Sequence, residues 1–253
     1  MARKRVNKKD VENIADYSHV EKALRGKVPT EAEHQNINGS QSTSIHRTLQ
    51  IRTFPISIGF PLDELMFSQF FQNVVNLSIM PWDNIISTTS TLIEEARNKI
   101  HDHFLNNTTH PYLLMLDSDV LPPPDLIERL LSHDKPVVGG YYHRKEQFPV
   151  KDIETGETKM IQRPVVYDYS NYVNGHHKYN QRMQAGEGLE QVDGMGAGCW
   201  LIKREVIEAI GESPYNFRES GEDLTFCRAV YKAGFSVWVD WDTPCAHCGV
   251  FHV

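Results

Sequence analysis

The stretch LLMLDSDVLPPP, residues 113–124, decides the reading of this chain. Leu113 to Leu116 shows no polar alternation, which is the pattern of a strand covered on both faces, as in a parallel sheet. Asp117 and Asp119 follow at once, with Pro122, Pro123 and Pro124 behind them. Carboxylates at i and i+2 on the tip of a strand repel each other, which raises one pKa, and a bound cation removes that strain. Their hard oxygens suit Mg2+ or Mn2+ bridging to phosphates. Taken alone, the pair fits equally well as a helix cap or as an acceptor of loop amide hydrogens.

Working upstream, folded texture begins at Thr48, where LQIRTFPISIGFP reads as a strand running into a turn at Phe60 and Pro61. A helix is expected over Leu65 to Val75, then a short strand NLSIM. Thr91 and Glu94 form a T-x-x-E capping box for an amphipathic helix reaching Leu105. Downstream, the prolines suit a turn and a first helical position before Leu126, Ile127, Leu130 and Leu131, and PVVGGYY is another buried strand. This alternation of strand and helix predicts a doubly wound α/β layer, in which ligands bind beyond the carboxyl ends of the strands. Asp117 and Asp119 fall at such an end.

The second half has a different grain. PVKDI and KMIQRPVVYDY, broken by a TGE turn, predict a hairpin, and Ser170 to Gly188 reads as a long functional loop. Asp193 to Gly198 is a glycine-rich turn leading into the strand CWLI and a helix. GEDLTFCRAVYKAG is a further helix closed by Gly234, and FSVWVD a final strand.

A chain of 253 residues is long enough for one sizeable core. Its formal charge of -7 gives no general reason to bind a polyanion, although Arg3, Lys4, Arg5, Lys8 and Lys9 crowd one end. Residues 1–45 are too poor in large apolar side chains to hold themselves folded and read as a partly disordered appendage, with a helix over Val11 to Leu24. No apolar run approaches the ~20 residues of a membrane helix, so a soluble, cytoplasmic protein is expected. Cys199, Cys227, Cys245 and Cys248 do not form the framework of a small secreted scaffold, and reduced thiols are expected. The sequons at Asn38, Asn106 and Asn107 then carry no meaning.

Three further features bear on the chemistry. ARN, Ala96 to Asn98, lies on the helix before the aspartates; Glu222 and Asp223 open a helix, where the dipole favours their ionised form; and AHCG places His247 after the last strand. The order ARN, LLMLDSDV, PVVGGYY, VDGMGAGCWLIKREV, GEDLTFCRAVYKAGF and AHCG resembles the small GT-A glycosyltransferases, particularly compact ones found in bacteriophage genomes. The resemblance covers Thr48 to the C-terminus. It implies an α/β fold, a Rossmann-like nucleotide-binding sheet with helices on both faces, continuous with a smaller mixed acceptor-side sheet. Residues 46–253 would form one domain, with 46–145 as the nucleotide-sugar half and 146–253 as the acceptor and catalytic half.

The resemblance also implies roles. Asp119 is a direct metal ligand, Asp117 reaches the ribose or a metal-bound water, and His247 completes the coordination. The imidazole favours Mn2+ over Mg2+. Arg97 contacts the nucleotide, the base lies at the Phe60-Pro61 turn, and Ser118 belongs to the DXD motif. Gly196, Ala197 and Gly198 let backbone approach the donor sugar. Asp223 is the base, with Glu222 positioning it or binding the acceptor. The expected activity is that of a hexosyl- or pentosyltransferase, inverting by preference, acting on a UDP- or GDP-sugar. The acceptor is a glycan, a protein or a hydroxymethylated DNA base; His143, Arg144, Lys145, His176, His177 and Lys178 could form a phosphate-binding rim for the last. Arg97 can instead be read as a surface partner of Glu94 or Glu95.

Two other classes remain open. LLMLDSDVL also fits the DxDxV strand of HAD-type phosphatases, with Asp117 as nucleophile and Asp119 as acid, although that motif belongs on a first strand. CAHC, with Cys245, His247 and Cys248, is half of a structural zinc site that lacks a closely spaced second pair.

Overall fold

Strands without polar alternation end up in the middle of the sheet. In the structure, a computed structural model, residues 52–62, 66–90, 92–151, 155–174, 176–217 and 221–248 are described. The expected appendage at 1–45, the capping Thr91 and Leu65 lie outside them. Strand β3 (Tyr112–Leu116) is buried from Leu113 onward. Leu113 and Met115 enter one apolar cluster and Leu114 and Leu116 the other, so the run YLLML has a core on each face.

Around β3 the main sheet has seven strands. β1 (Ser57–Leu62) and β2 (Asn84–Thr89) lie on one side of it, and β12 (Cys199–Lys203), β5 (Val137–Tyr141), β13 (Val237–Pro244) and β10 (Leu189–Val192) follow on the other. β2, β1, β3, β5 and β13 run one way, while β12 and β10 run against them. β12 enters between β3 and β5, so strands from both halves of the chain share one sheet.

Helix α1 (Ser68–Val75) and α3 (Leu126–Ser132) cover one face through Phe70, Leu126, Ile127 and Leu130. The other face takes α2 (Ile93–Asn107), α4 (Arg204–Ile210) and α5 (Glu222–Lys232), through Ile100, Phe104, Val206, Ile207, Phe226 and Val230. On α2 the buried positions Ala96, Arg97, Ile100, His101 and Phe104 recur at helical spacing and form the stripe facing the sheet. Ser90 stands at its start: its Oγ accepts from the Leu92 N–H at 3.3 Å and donates to Glu95 at 3.1 Å. At its end, the Arg204 guanidinium donates to the carbonyls of Phe104 and Thr108, which the last turn leaves without partners.

Two expectations are corrected. NLSIM is not a strand. The buried Asp83 carboxylate accepts from the N–H groups of Met80 and Ile56 and is gripped by Arg52 through two 2.6 Å bonds, and this holds the segment as a turn. The strand comes after it, as β2, an edge strand whose sequence NIISTT has only Ile86 buried.

The polar segment Ser170–Gly188 is largely a hairpin rather than a loop. β8 (Val166–Val173) and β9 (His176–Gln181) pair antiparallel, and β11 (Gly194–Met195) adds a third strand to this second sheet. The expected hairpin before it is present as β6 (Phe148–Lys151) and β7 (Thr158–Ile161). Lastly, β4 (Val120–Leu121) pairs antiparallel with β14 (Ala246–His247), which ties the far end of the chain to the residue after Asp119.

Candidate active site

The tip of β3 is held by backbone before any side chain acts. The Asp117 N–H donates to the Gly198 carbonyl at 2.9 Å, and the Val120 N–H returns to the Asp117 carbonyl at 3.1 Å, so the chain turns tightly and both carboxylates project beyond the sheet. The glycines of DGMGAG make room for a neighbour. A Cβ on Gly196 would lie 2.3 Å from the Tyr142 hydroxyl and one on Gly198 within 2.9 Å of the Tyr142 ring, so in this structure the close approach these glycines permit is made by Tyr142. The Gly198 N–H donates to the Tyr142 hydroxyl at 3.1 Å. Ala197 is fully buried.

Asp117 and Asp119 sit one residue apart but in different surroundings. Arg97 is 3 % exposed. Its Nη2 donates to both Asp117 oxygens, at 2.9 and 2.7 Å, and its Nη1 donates to Glu222. It does not pair with Glu94 or Glu95, whose surface role beside Arg97 is thereby corrected. Burial alone would lower the guanidinium's pKa, but the charges of Asp117, Glu222 and Asp223 outweigh it and drive it upward. Asp117 is pushed up by burial, and Asp119 and Glu222 add to this against the pull of Arg97. Arg97 is thus the cation that permits two carboxylates to be buried together.

Asp119 faces outward, toward cations. Its Oδ2 receives Lys145 Nζ at 2.6 Å and lies 3.3 Å from His247 Nε2. Burial would raise its carboxyl, but the facing His247 and Lys145 side chains prevail and hold it at about 2. His247 reaches this point because β14 pairs with β4, and its Nδ1 stands 2.9 Å from the His143 carbonyl. A carbonyl can only accept, so Nδ1 carries a hydrogen and Nε2 is the nitrogen presented to Asp119.

The third component is the start of α5. Gly221 precedes it at φ 102, a conformation that side chains rarely adopt, so the chain can turn into the helix with Glu222 inward against Arg97. Asp223 is left with backbone donors, the N–H groups of Leu224, at 3.1 Å, and of its own residue. Burial and the adjacent Glu222 charge raise its pKa to about 6, against the opposing pull of Arg97.

A cleft of about 430 Å³ opens beside the β3 tip, within the size range of small-molecule sites. Pro61, Leu62, Phe67 and Ile93 form its apolar side, and Asp117, Ser118, Asp119 and Lys145 its polar side. Of the residues named from sequence, Pro61 lines it, whereas Phe60 is buried edge-on against Phe70, with ring centroids 5.6 Å apart. Lys145, expected on a phosphate-binding rim, lies on Asp119 instead, and Tyr142 was not among the expected site residues. No local periodicity marks either contact.

Among the described residues no three His, Cys, Asp or Glu side chains converge to hold a metal unaided. Asp119 and His247 supply two donors of the kind Mn2+ takes, and the lysine ammonium already on Asp119 marks a place where positive charge is stabilised. The two side chains therefore fit part of the coordination of a divalent ion. The zinc reading fares worse: Cys245 is buried against Cys199, and Cys248 is half-buried with its N–H on the Asp119 carbonyl.

No protein-family model and no curated protein matches the chain. Solved structures do match. A197 from STIV superposes with a TM-score of 0.52 at 18% identity, covering 78% of this chain and 86% of that one. GalNAc-T7, solved with UDP, GalNAc and Mn2+, superposes with a TM-score of 0.52 at 11% identity, covering 79% of this chain and 44% of that one. At these identities the likeness establishes the architecture, a GT-A-like α/β fold, as the sequence predicted.

Proposed function

We propose that this chain transfers a sugar from a nucleotide-diphosphate sugar to an acceptor hydroxyl, with a divalent ion held by Asp119 and His247. The observation that carries this reading is a pair of oppositely tuned carboxylates. Asp119 is drawn down to about 2 between two cationic or cation-binding side chains at the lip of a cleft, and Asp223, whose charge acts on Arg97, is pushed up to about 6 by burial. A strongly acidic carboxylate suits a cation, and one near neutrality suits proton removal. The GT-A-like architecture supports the assignment, as does the presence of UDP, GalNAc and Mn2+ in one structure that shares it.

In this reading Pro61 and Leu62 flank the nucleobase, Ser118 borders the ribose beside the Arg97-held Asp117, and Lys145 meets the diphosphate. The ion, preferably Mn2+, would neutralise the charge that develops on the leaving diphosphate. Asp223 takes the acceptor's hydroxyl proton as that oxygen attacks C1, while the C1–O bond breaks and its electron pair departs with the diphosphate. Attack from the face opposite the leaving group inverts C1. A phosphatase reading is less well served, because both oxygens of Asp117, its required nucleophile, are occupied by Arg97.

Thermal-shift and hydrolysis measurements with UDP-, GDP- and CMP-sugars, with and without Mn2+, test the proposal. At least one sugar nucleotide should stabilise the protein in an Mn2+-dependent way, and Asp119→Ala should lose that dependence. If none shifts or is hydrolysed, the reading fails.

Lys145 offers a second check. Its ammonium competes for the oxygen that a metal needs, in a half-exposed pair of about 1 kcal/mol. Lys145→Met should therefore bind Mn2+ roughly fivefold more tightly in the absence of donor, read by the loss of free Mn2+ signal in electron paramagnetic resonance. Unchanged Mn2+ affinity would place the ion elsewhere.

A further inference from the structure

The β8–β9 hairpin carries aromatic side chains that the transfer chemistry does not use. Tyr169 and Tyr172 are three residues apart, so an unbroken strand would point them to opposite faces. The pairing slips between Tyr169 and Asn171, which inserts one residue and restores the phase. Tyr169 then lies opposite Tyr179, and Tyr172 opposite His177. The rings run in one row, with centroids 5.6 Å apart from Tyr179 to Tyr169, 5.7 Å from Tyr169 to His177 and 4.7 Å from His177 to Tyr172. Tyr169 is 41% exposed and Tyr172 59%.

The row extends toward the candidate base. Tyr167, two residues before Tyr169 on the same face, has its hydroxyl raised by burial and by the charges of Asp223 and Glu222, against the pull of Arg144. The Tyr167 hydroxyl accepts from Arg144 at 3.3 Å. From Tyr167 to Tyr172 the partner strand advances four residues, about 13 Å, the length of a short oligosaccharide rather than of a single sugar.

Charge selects among occupants. A nucleic acid bound by stacking also needs a basic groove to track its phosphates. On the hairpin Arg182 is spent on Asp168 and Glu190, at 2.8 and 2.7 Å, which leaves Lys178 as the other lysine or arginine between residues 166 and 182. Lys178 pairs with Asn171, and by the same alternation both point away from the tyrosines, while Gln181, opposite Tyr167, shares their face. An aromatic face of little net charge matches a molecule with apolar C–H faces and hydroxyl edges.

We infer that the exposed Tyr169–Tyr172 face is the acceptor platform, and that the acceptor is a neutral oligosaccharide laid along it with its end at Asp223. The inference rests on the glycosyl-transfer reading for the word acceptor, but binding can be measured without turnover. The full chain, with UDP and Mn2+ present, is applied to an array of neutral and acidic oligosaccharides, with single-stranded oligonucleotides and unglycosylated peptides as further arms. Neutral oligosaccharides should be retained above monosaccharides, Tyr169→Ala and Tyr172→Ala should each weaken retention about tenfold, and Tyr172→Phe should preserve it. All three variants should keep the melting temperature of the parent.

Retention of the oligonucleotide or peptide arm alone, retention of nothing, or glycan retention indifferent to both alanine variants would each overturn the platform. A thermal shift with the sugar nucleotides on the same preparation keeps the two ideas apart. A protein that holds glycans but no sugar nucleotide refutes the reaction, and one that holds sugar nucleotides but no glycan refutes the platform.

Discussion

Asp223→Asn is expected to lower turnover by about 10²–10⁴-fold while leaving the affinity for the sugar nucleotide and Mn2+ unchanged. Asparagine keeps the shape and the backbone hydrogen bonds that Leu224 and the residue itself provide, so the helix start should survive. What is lost is the basic oxygen. Donor affinity is read by thermal shift and turnover by product mass. Unchanged turnover in this variant removes Asp223 from the chemistry, and a parallel loss of donor affinity shows that the side chain was holding the site together instead.

The same carboxyl makes two pH predictions. Its proton must be absent for it to act as base, so turnover should rise with pH through about 6 and then level off. Stability should run the other way. The folded protein holds this proton to about 6, whereas the unfolded chain releases it near the ordinary value of 3.8, so the native state binds more protons between those limits and loses stability as pH rises through them. Asp223→Asn should therefore melt higher than the parent at pH 7 and equal to it near pH 4. A variant that is less active and more stable is the signature of a group kept for function.

How much of this was legible in the sequence depends on how locally each feature is encoded. YLLML could be read because its two buried faces come from one unbroken apolar run, and the DSD pair because it ends that run. β2 was missed because an edge strand with one buried isoleucine carries almost no hydrophobic period. From Ser170 onward the β8–β9 hairpin reads as a loop because its pairing uses tyrosine, histidine and asparagine on a largely exposed ribbon, and a bulge breaks the alternation that would have betrayed it. His247 came from the family resemblance, but its arrival beside Asp119 depends on the short β4–β14 ladder, which no local pattern announces. The partners of Arg97 are harder still, since Glu222 lies 125 residues away along the chain.

Arg97→Met should destabilise the protein by about 3–5 kcal/mol, roughly 6–20 °C in melting temperature for a chain of this size. Methionine fills much of the same volume, so packing is nearly conserved and the loss is electrostatic. Asp117 and Glu222 would remain buried with no cation between them. Asp117, already raised by burial, would then lose the opposing pull of Arg97 and hold its proton still more tightly in the folded state than in the unfolded one, so the deficit should be greatest at pH 7 and shrink as the pH falls toward 5. Arg97→Lys should fall between the two, because a single ammonium cannot span two carboxylates as a planar guanidinium does. Adding Asp117→Asn and Glu222→Gln to Arg97→Met should recover most of the melting temperature, since neutral amides no longer need the cation. Activity should not return with it, because Glu222 would no longer be fixed beside Asp223 and the charge environment of the base would change. Calorimetry of the four proteins at pH 5 and pH 7 decides the matter. An Arg97→Met protein that melts with the parent at both values would mean that the bridge contributes nothing to the fold, and that the arginine is kept for contact with a ligand alone.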